Sequence, residues 1–275
     1  MPGELAGKFY AAVEKMPAFP KSVQKILALS RNIDCSPREV ASVVESDPVM
    51  AAKVLKALNS PYYPVPGRIT SIDRAIAYLG FNTIKNLALG IASMGMLPRQ
   101  NKACLDMHQY LLHSLYVAGV AKLLCSRTDP SADSTDCHIA GLLHDFGKVV
   151  FAQYMAEEFR LALDLSKNEA IPLHLAERQI LGTDHCRMGS LLAEKWQLPD
   201  SIVQAMRYHH DAGIHGSSIL DCVISANHLC KKKGLGFSGN ALFEEQPAAE
   251  SIISEEDIKK IREETALFLN LGAPS

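Results

Sequence analysis

Apolar residues recur three and four positions apart along most of the chain, and no stretch alternates as a half-buried strand would. The pattern predicts an all-helical fold. Pro17-Ala18-Phe19-Pro20 precede a first core helix whose inward face is Val23, Ile26, Leu27 and Ser30. Ser36-Pro37-Arg38-Glu39 is a capping box with proline at the first helical position, followed by the stripe Val40, Val43, Val44. Asp47-Pro48 repeats the device for a helix carrying Val54, Leu55 and Leu58, which Asn59-Ser60-Pro61 stops. Three prolines and a glycine between 61 and 70 predict a loop. Ser71 opens the next helix, which Gly80 ends in a left-handed turn, and Asn82 is expected to cap the helix after it.

Punctuation then divides the chain. Residues 1–101 read as a lobe of short helices closing at Pro98–Lys102. Residues 102–233 read as longer helices, broken at Asp129–Asp136, Gly182-Thr183, Pro199 and Gly213–Gly216. Residues 234–275 read as a linker and one amphipathic helix, starting at Ser254-Glu255-Glu256-Asp257 and burying Ile258, Ile261, Phe268 and Leu269.

Composition narrows the function classes. With 275 residues, 48% of them hydrophobic, and a formal charge of −2, the chain has core material but no electrostatic signature for nucleic acid. Lys231-Lys232-Lys233 reads as a solvated helix end. Seven scattered cysteines without a C-x-x-C pair suit reduced thiols in a cytoplasmic protein rather than a zinc ribbon. No secretory signal is visible, and no apolar run approaches the ~18 residues of a membrane span.

The candidate chemistry lies in the histidines. GLLHDFGK (141–148) places His144 and Asp145 inside an apolar run, with Lys148 on the same side, although a buried carboxylate is costly unless paired or metal-bound. His113 shares the face of Tyr116, Val117, Val120 and Leu124. His185 opens a helix with Met188, Leu191 and Leu192, while His209 and His210 extend the faces of Ile202, Val203 and Met206. Any one of these suits a hydrogen-bonded core imidazole. Together they suit a shared divalent cation, with an imidazole-rich set favouring iron, zinc, manganese or nickel over magnesium. A buried polar network without metal stays open beside that reading.

The order His113, His144-Asp145, His185, His209-His210 resembles the HD superfamily of metal-dependent phosphohydrolases, nearest to its two-metal HD-GYP type. SDPVMAAKVLKALNS, ITSIDRAIAYLGFNTIKNLAL and LGTDHCRMGSLLAEKWQLPDSIVQAMRYHH are similar to HDOD sequences, regulatory relatives of HD domains. The resemblance covers about residues 15–232 and implies a two-lobed helical HDOD architecture. It implies a first metal held by His113, His144 and Asp145, and a second held by Asp145, His185, His209 and His210, one or two ions in all. The aspartate that completes the first site in catalytic relatives falls at Asn227, and Asp221 lies a third of a turn away. One carboxylate facing two dications is underneutralised, which favours loss of an ion or recruitment of phosphate. No Gly-Tyr-Pro loop follows His210.

The implied function is therefore a bacterial signal-transduction module acting on a signalling protein partner, with neither nucleic acid nor membrane as partner. The alternative is a phosphohydrolase acting on a nucleotide or other phosphoester, in which Asp145 orients and Lys148 meets a substrate phosphate. For that chemistry no general base and no arginine cluster accompanies the motifs.

Overall fold

The computed structural model describes residues 2–29, 35–60, 63, 67–98, 101–211, 217–242 and 248–272. Ser30, the loop prolines 61, 64 and 66, and the break at 213–216 lie outside them. Every regular element among the described residues is helical. They are α1 (Pro2–Lys15), α2 (Lys21–Leu29), α3 (Pro37–Glu45), α4 (Pro48–Leu58), α5 (Ile72–Leu79) and α6 (Phe81–Gly95). There follow α7 (Met107–Thr128), α8 (Ser134–Leu143), α9 (Phe146–Tyr154), α10 (Ala156–Glu169) and α11 (Leu173–Leu181). The chain continues with α12 (His185–Lys195), α13 (Asp200–Tyr208), α14 (Ser218–Lys232), α15 (Ala248–Ile252) and α16 (Glu255–Gly272). No described helix is long and apolar enough to cross a membrane.

The chain forms two compact units, one of residues 18–96 and 259–275, the other of 1–17 and 97–258. These limits differ from the boundaries at 101 and 233 drawn from punctuation.

In the smaller unit the caps form as their chemistry predicts. The Ser36 hydroxyl accepts from the Glu39 amide at 3.3 Å, and the Glu39 carboxylate accepts from the Ser36 amide at 2.8 Å. Asp47 accepts from the Met50 amide and Ser71 from the Arg74 amide. Val40, Val44, Val54, Leu58, Ile72, Ile76, Ile84 and Leu87 form the core, while Val43 and Leu55 are half-buried. Gly80, at φ +79°, both closes α5 and serves as N-cap of α6, without a side-chain cap. Asn82 therefore lies inside α6 and does not cap it: the glycine turns the chain in one residue, leaving no place for a separate capping residue. The Phe268 ring of α16 covers Gly90, where a Cβ would come within 2.6 Å of it.

In the larger unit α7 packs against α8 and α14, which also pack on each other. α9 packs on α12, α12 on α13, α13 on α8 and α14, and α10 on α11. α1 lies outside the helices that the punctuation of the sequence predicts. Phe9, Val13 and Met16 are nevertheless buried, and the Lys195 ammonium donates to the carbonyls of Val13, Glu14 and Met16. A lysine on unsatisfied carbonyls at a helix end is a favourable cap. Trp196 adds an indole donor to Pro17 O at 3.1 Å.

GLLHDFGK is not one helix. α8 stops at Leu143 and α9 starts at Phe146, so His144 and Asp145 occupy a two-residue corner. Gly141 and Gly147 set that corner. A Cβ on Gly141 would lie 2.8 Å from Ala118 Cα of α7, and one on Gly147 would lie 2.0 Å from His185 O at the start of α12.

Candidate metal centre

Asp145 is completely buried, and four imidazoles surround it. His113 comes from mid-α7, His144 from the corner, His185 from the first position of α12, and His209 from the end of α13. Asp145 Oδ2 lies 3.4 Å from His144 Nε2 and 3.9 Å from His113 Nε2. Asp145 Oδ1 lies 3.2 Å from His185 Nε2 and 3.5 Å from His209 Nε2. The His210 ring stands beside His209 and edge-on to His185, with centroids 4.4 and 5.2 Å away. Asn227, on α14, places its Oδ1 3.1 Å from His113 Nε2. Of the other six positions expected to ligate metal, four thus face the Asp145 carboxylate, while His210 and Asn227 border those four. Asp221 does not; it lines a separate cavity beside Cys222.

The outward nitrogens fix what the inward ones can do. His144 Nδ1 faces Gly141 O at 2.7 Å, His209 Nδ1 faces Met206 O at 3.0 Å, and His185 Nδ1 faces a Glu177 carboxylate oxygen at 2.6 Å. Each of those acceptors demands an N–H, so each ring turns its Nε2 toward Asp145. Burial lowers His209 to about 3, which leaves it neutral with a lone pair aimed at Oδ1. For His185 burial acts downward, but Glu177 outweighs it and holds the imidazole well above its usual range. Burial pushes the Asp145 carboxyl up, yet the neighbouring His144 and Lys148 hold it well below the carboxylate range. His144 Nε2, His185 Nε2 and Asp145 Oδ1 have no hydrogen-bond partner. The His209 lone pair faces an ionised oxygen at 3.5 Å and repels it unless a cation lies between them.

The donor set fits a transition metal. Two ligands each about 2.0–2.1 Å from an ion at tetrahedral or right angles stand roughly 3–3.4 Å apart, close to the separations about Oδ1. A ligating histidine that donates its other N–H to a carboxylate or carbonyl is the usual outer arrangement. His185, His209, His210 and Oδ1 of Asp145 could hold one ion. The other oxygen is differently placed: the Lys148 ammonium sits 2.7 Å from Oδ2 and 3.2 Å from Ser238 Oγ, fully buried. Lys148 thus supplies a positive charge where a first ion would be held by His113, His144 and Asn227.

Several contributors lie outside the motifs that the sequence marks. Glu177 is completely buried and accepts from both the His185 ring and the His185 amide, the latter at 2.8 Å. It stands four residues from both Leu173 and Leu181, so the periodicity already turned it inward. Lys231, expected at a solvated helix end, is half-buried, on the Val223–Asn227 line, and burial lowers it to about 8. Residues 235–240 close over α7: Phe237 N donates to Gln109 O, and Gly236, at φ +72°, lies where a Cβ would meet His113 N at 2.2 Å.

A cavity of about 750 Å³ opens beside this centre, with His210 and Cys186 on its wall. Arg178 of α11, Arg187 of α12 and Arg207 of α13 line it with Tyr208. Arg178 pairs with Asp184 at 2.5 Å, and the Arg207 guanidinium lies 5.6 Å from the Tyr208 ring centroid. The arginine cluster not evident along the sequence is therefore assembled from three helices.

Comparison with known proteins follows the same lines. The HDOD domain profile matches residues 16–212. An HDOD domain protein of unknown function from Geobacter sulfurreducens has a similar crystal structure, with a TM-score of 0.78 and 28% identity over 98% of this chain and 95% of that one. A signal-transduction candidate from Marinobacter aquaeolei VT8 gives a TM-score of 0.76 at 23% identity, over 98% of this chain and 65% of that one. An uncharacterized protein of Treponema pallidum (strain Nichols) is 24% identical over 209 residues, which is 76% of this chain and 40% of that protein. The chain thus spans less than half the length of that curated relative.

Proposed function

The chain belongs to the HDOD domain family, and from that premise we propose a cytoplasmic regulatory module of bacterial signal transduction that holds a divalent transition-metal ion and acts through a protein partner. One observation carries the metal: outward acceptors on His144, His185 and His209 force Nε2 atoms toward the two oxygens of a buried, ionised Asp145. The expected load is one ion of iron, zinc, manganese or nickel, held by His185, His209, His210 and Asp145. His113, His144 and Asn227 border Lys148, whose charge already balances Oδ2. That balance supports a regulatory role over two-metal catalysis.

The test is elemental analysis of protein purified without chelator from metal-replete cells. About one ion per chain is expected, lost in His185→Ala and largely retained in His144→Ala. A protein devoid of transition metal sinks the reading and leaves a buried polar network.

The arginine-lined cavity supports a second reading, a phosphohydrolase acting on a nucleotide or other phosphoester. A bound ion would supply Lewis acidity and a lowered pKa for its water. Arg187 and Arg207 would hold a phosphate, Asp145 would orient the centre, and Lys148 would act as counter-ion, since its ammonium is engaged with Asp145 and Ser238. Turnover of a phosphodiester panel by the metal-loaded protein, abolished in His185→Ala and weakened in Arg187→Ala, would establish it. Inertness across the panel favours the module.

A further inference from the structure

Cysteines at 125, 137 and 222 are far apart in sequence, and no short spacing links them. The fold brings them together where α7, α8 and α14 pack on one another. Their three sulfurs lie within 4.8 Å of each other, and all three residues are buried. Cys125 lies twelve residues beyond His113 on α7, roughly 18 Å along the helix at 1.5 Å per residue. The cluster is therefore separate from the histidine centre.

Buried cysteines often serve only as small apolar residues. Two features set this trio apart. The sulfurs converge on each other instead of pointing into separate apolar niches. One of them is also reachable: Cys222 lines a cavity of about 290 Å³ whose wall includes Asp129, Asp221, Ser218 and Thr128. The Thr128 hydroxyl stands 3.9 Å from Cys222 Sγ. A vestibule bearing two carboxylates draws cations toward the Cys222 sulfur.

We infer that Cys125, Cys137 and Cys222 form a thiolate site for a soft metal ion, distinct from the histidine centre. Zinc–sulfur bonds of about 2.3 Å place tetrahedral sulfurs roughly 3.8 Å apart, so closure of the trio requires side-chain movement of about an ångström. Thiolate ligation selects zinc, cadmium or copper(I) over the hard cations. Each thiol that ligates releases its proton to solvent, with no change of oxidation state.

The test uses the full chain carrying Cys186→Ser, which removes the sulfur beside His209. Reduced, metal-stripped protein is titrated with cadmium(II) while the ultraviolet cadmium–thiolate band is recorded. One equivalent is expected to give a band that disappears when Cys137→Ser is added. Affinity from that band should fall by more than the roughly 10–100-fold typical of losing only an outer-sphere partner. Cys222→Ser, at the cavity mouth, gives a second variant should Cys137→Ser fail to fold. Absence of the band, or a band unchanged in the folded variant, overturns the proposal and leaves the trio as packing.

Discussion

Gly147→Ala isolates how the fold aims His185. A methyl at this position would come 2.0 Å from His185 O, 2.8 Å from its carbonyl carbon and 2.9 Å from Gly189 N, all backbone atoms. Ordinary contact begins near 3.4 Å, so 3.4 less 2.0 requires α9 and α12 to part by about 1.4 Å at their closest point. Alanine gains up to about 1 kcal/mol in helix propensity, against overpacking of about 1–3 kcal/mol or more. The net is destabilisation of roughly 1–2 kcal/mol, a fall of about 2–8 °C at 2–4 °C per kcal/mol for a unit of this size. The effect on metal is larger, because ligand positions tolerate only about ±0.2 Å, and His185 begins the displaced helix. Thermal unfolding of stripped protein gives the first quantity, and calorimetric titration with zinc gives the second. Gly95→Ala is the control, since its methyl would meet nothing within 4 Å. Full zinc affinity and an unchanged midpoint in Gly147→Ala would refute the reasoning.

Other perturbations separate the remaining contributions. Glu177→Gln keeps the shape but loses the charge behind His185, so calorimetry should show metal affinity down by about 10–100-fold. Asn227→Asp puts a carboxylate beside His113 Nε2, and elemental analysis should rise from about one ion per chain toward two. Lys148→Met leaves Oδ2 without its cation, and stripped protein should lose about 3–5 kcal/mol in urea unfolding. Asp257 is held well below the carboxylate range by Arg127 and then by the Ser254 amide and hydroxyl. Its stabilisation, roughly 1 kcal/mol or less after screening, is fully present above its unfolded value near 4 and fades as pH falls below that. The stability gap between wild type and Asp257→Asn should therefore narrow from pH 7 to pH 3.

What the sequence disclosed depended on how local the cause was. Ser36 and Asp47 cap within three residues, and their helices begin where the side chains require. The histidines were legible because each lies on an apolar stripe. The corner at His144-Asp145 was not, because its cause is the approach of Gly141 to α7 and of Gly147 to α12. α1 depends on Lys195 and Trp196, some 180 residues away. Glu177 was legible in principle, since it lies on the Leu173–Leu181 line, but a charge there reads as solvated until its partner is known. The cavity arginines belong to three helices whose approach no spacing reveals.

The closure of residues 235–240 over His113 has a consequence for biosynthesis. His113 meets Asn227 across 114 positions, and Lys148 meets Ser238 across 90. At about 5–20 residues per second, roughly 6 to 23 s separate the appearance of His113 from that of Asn227. Throughout that interval the emerging chain exposes imidazoles and a carboxylate whose partners are still untranslated. A ribosome that stalls before residue 238 releases a chain without the hydroxyl that meets Lys148. The proposed ion ligands are all translated by His210, so ion capture can precede this strap, and only the Lys148–Ser238 contact waits for it.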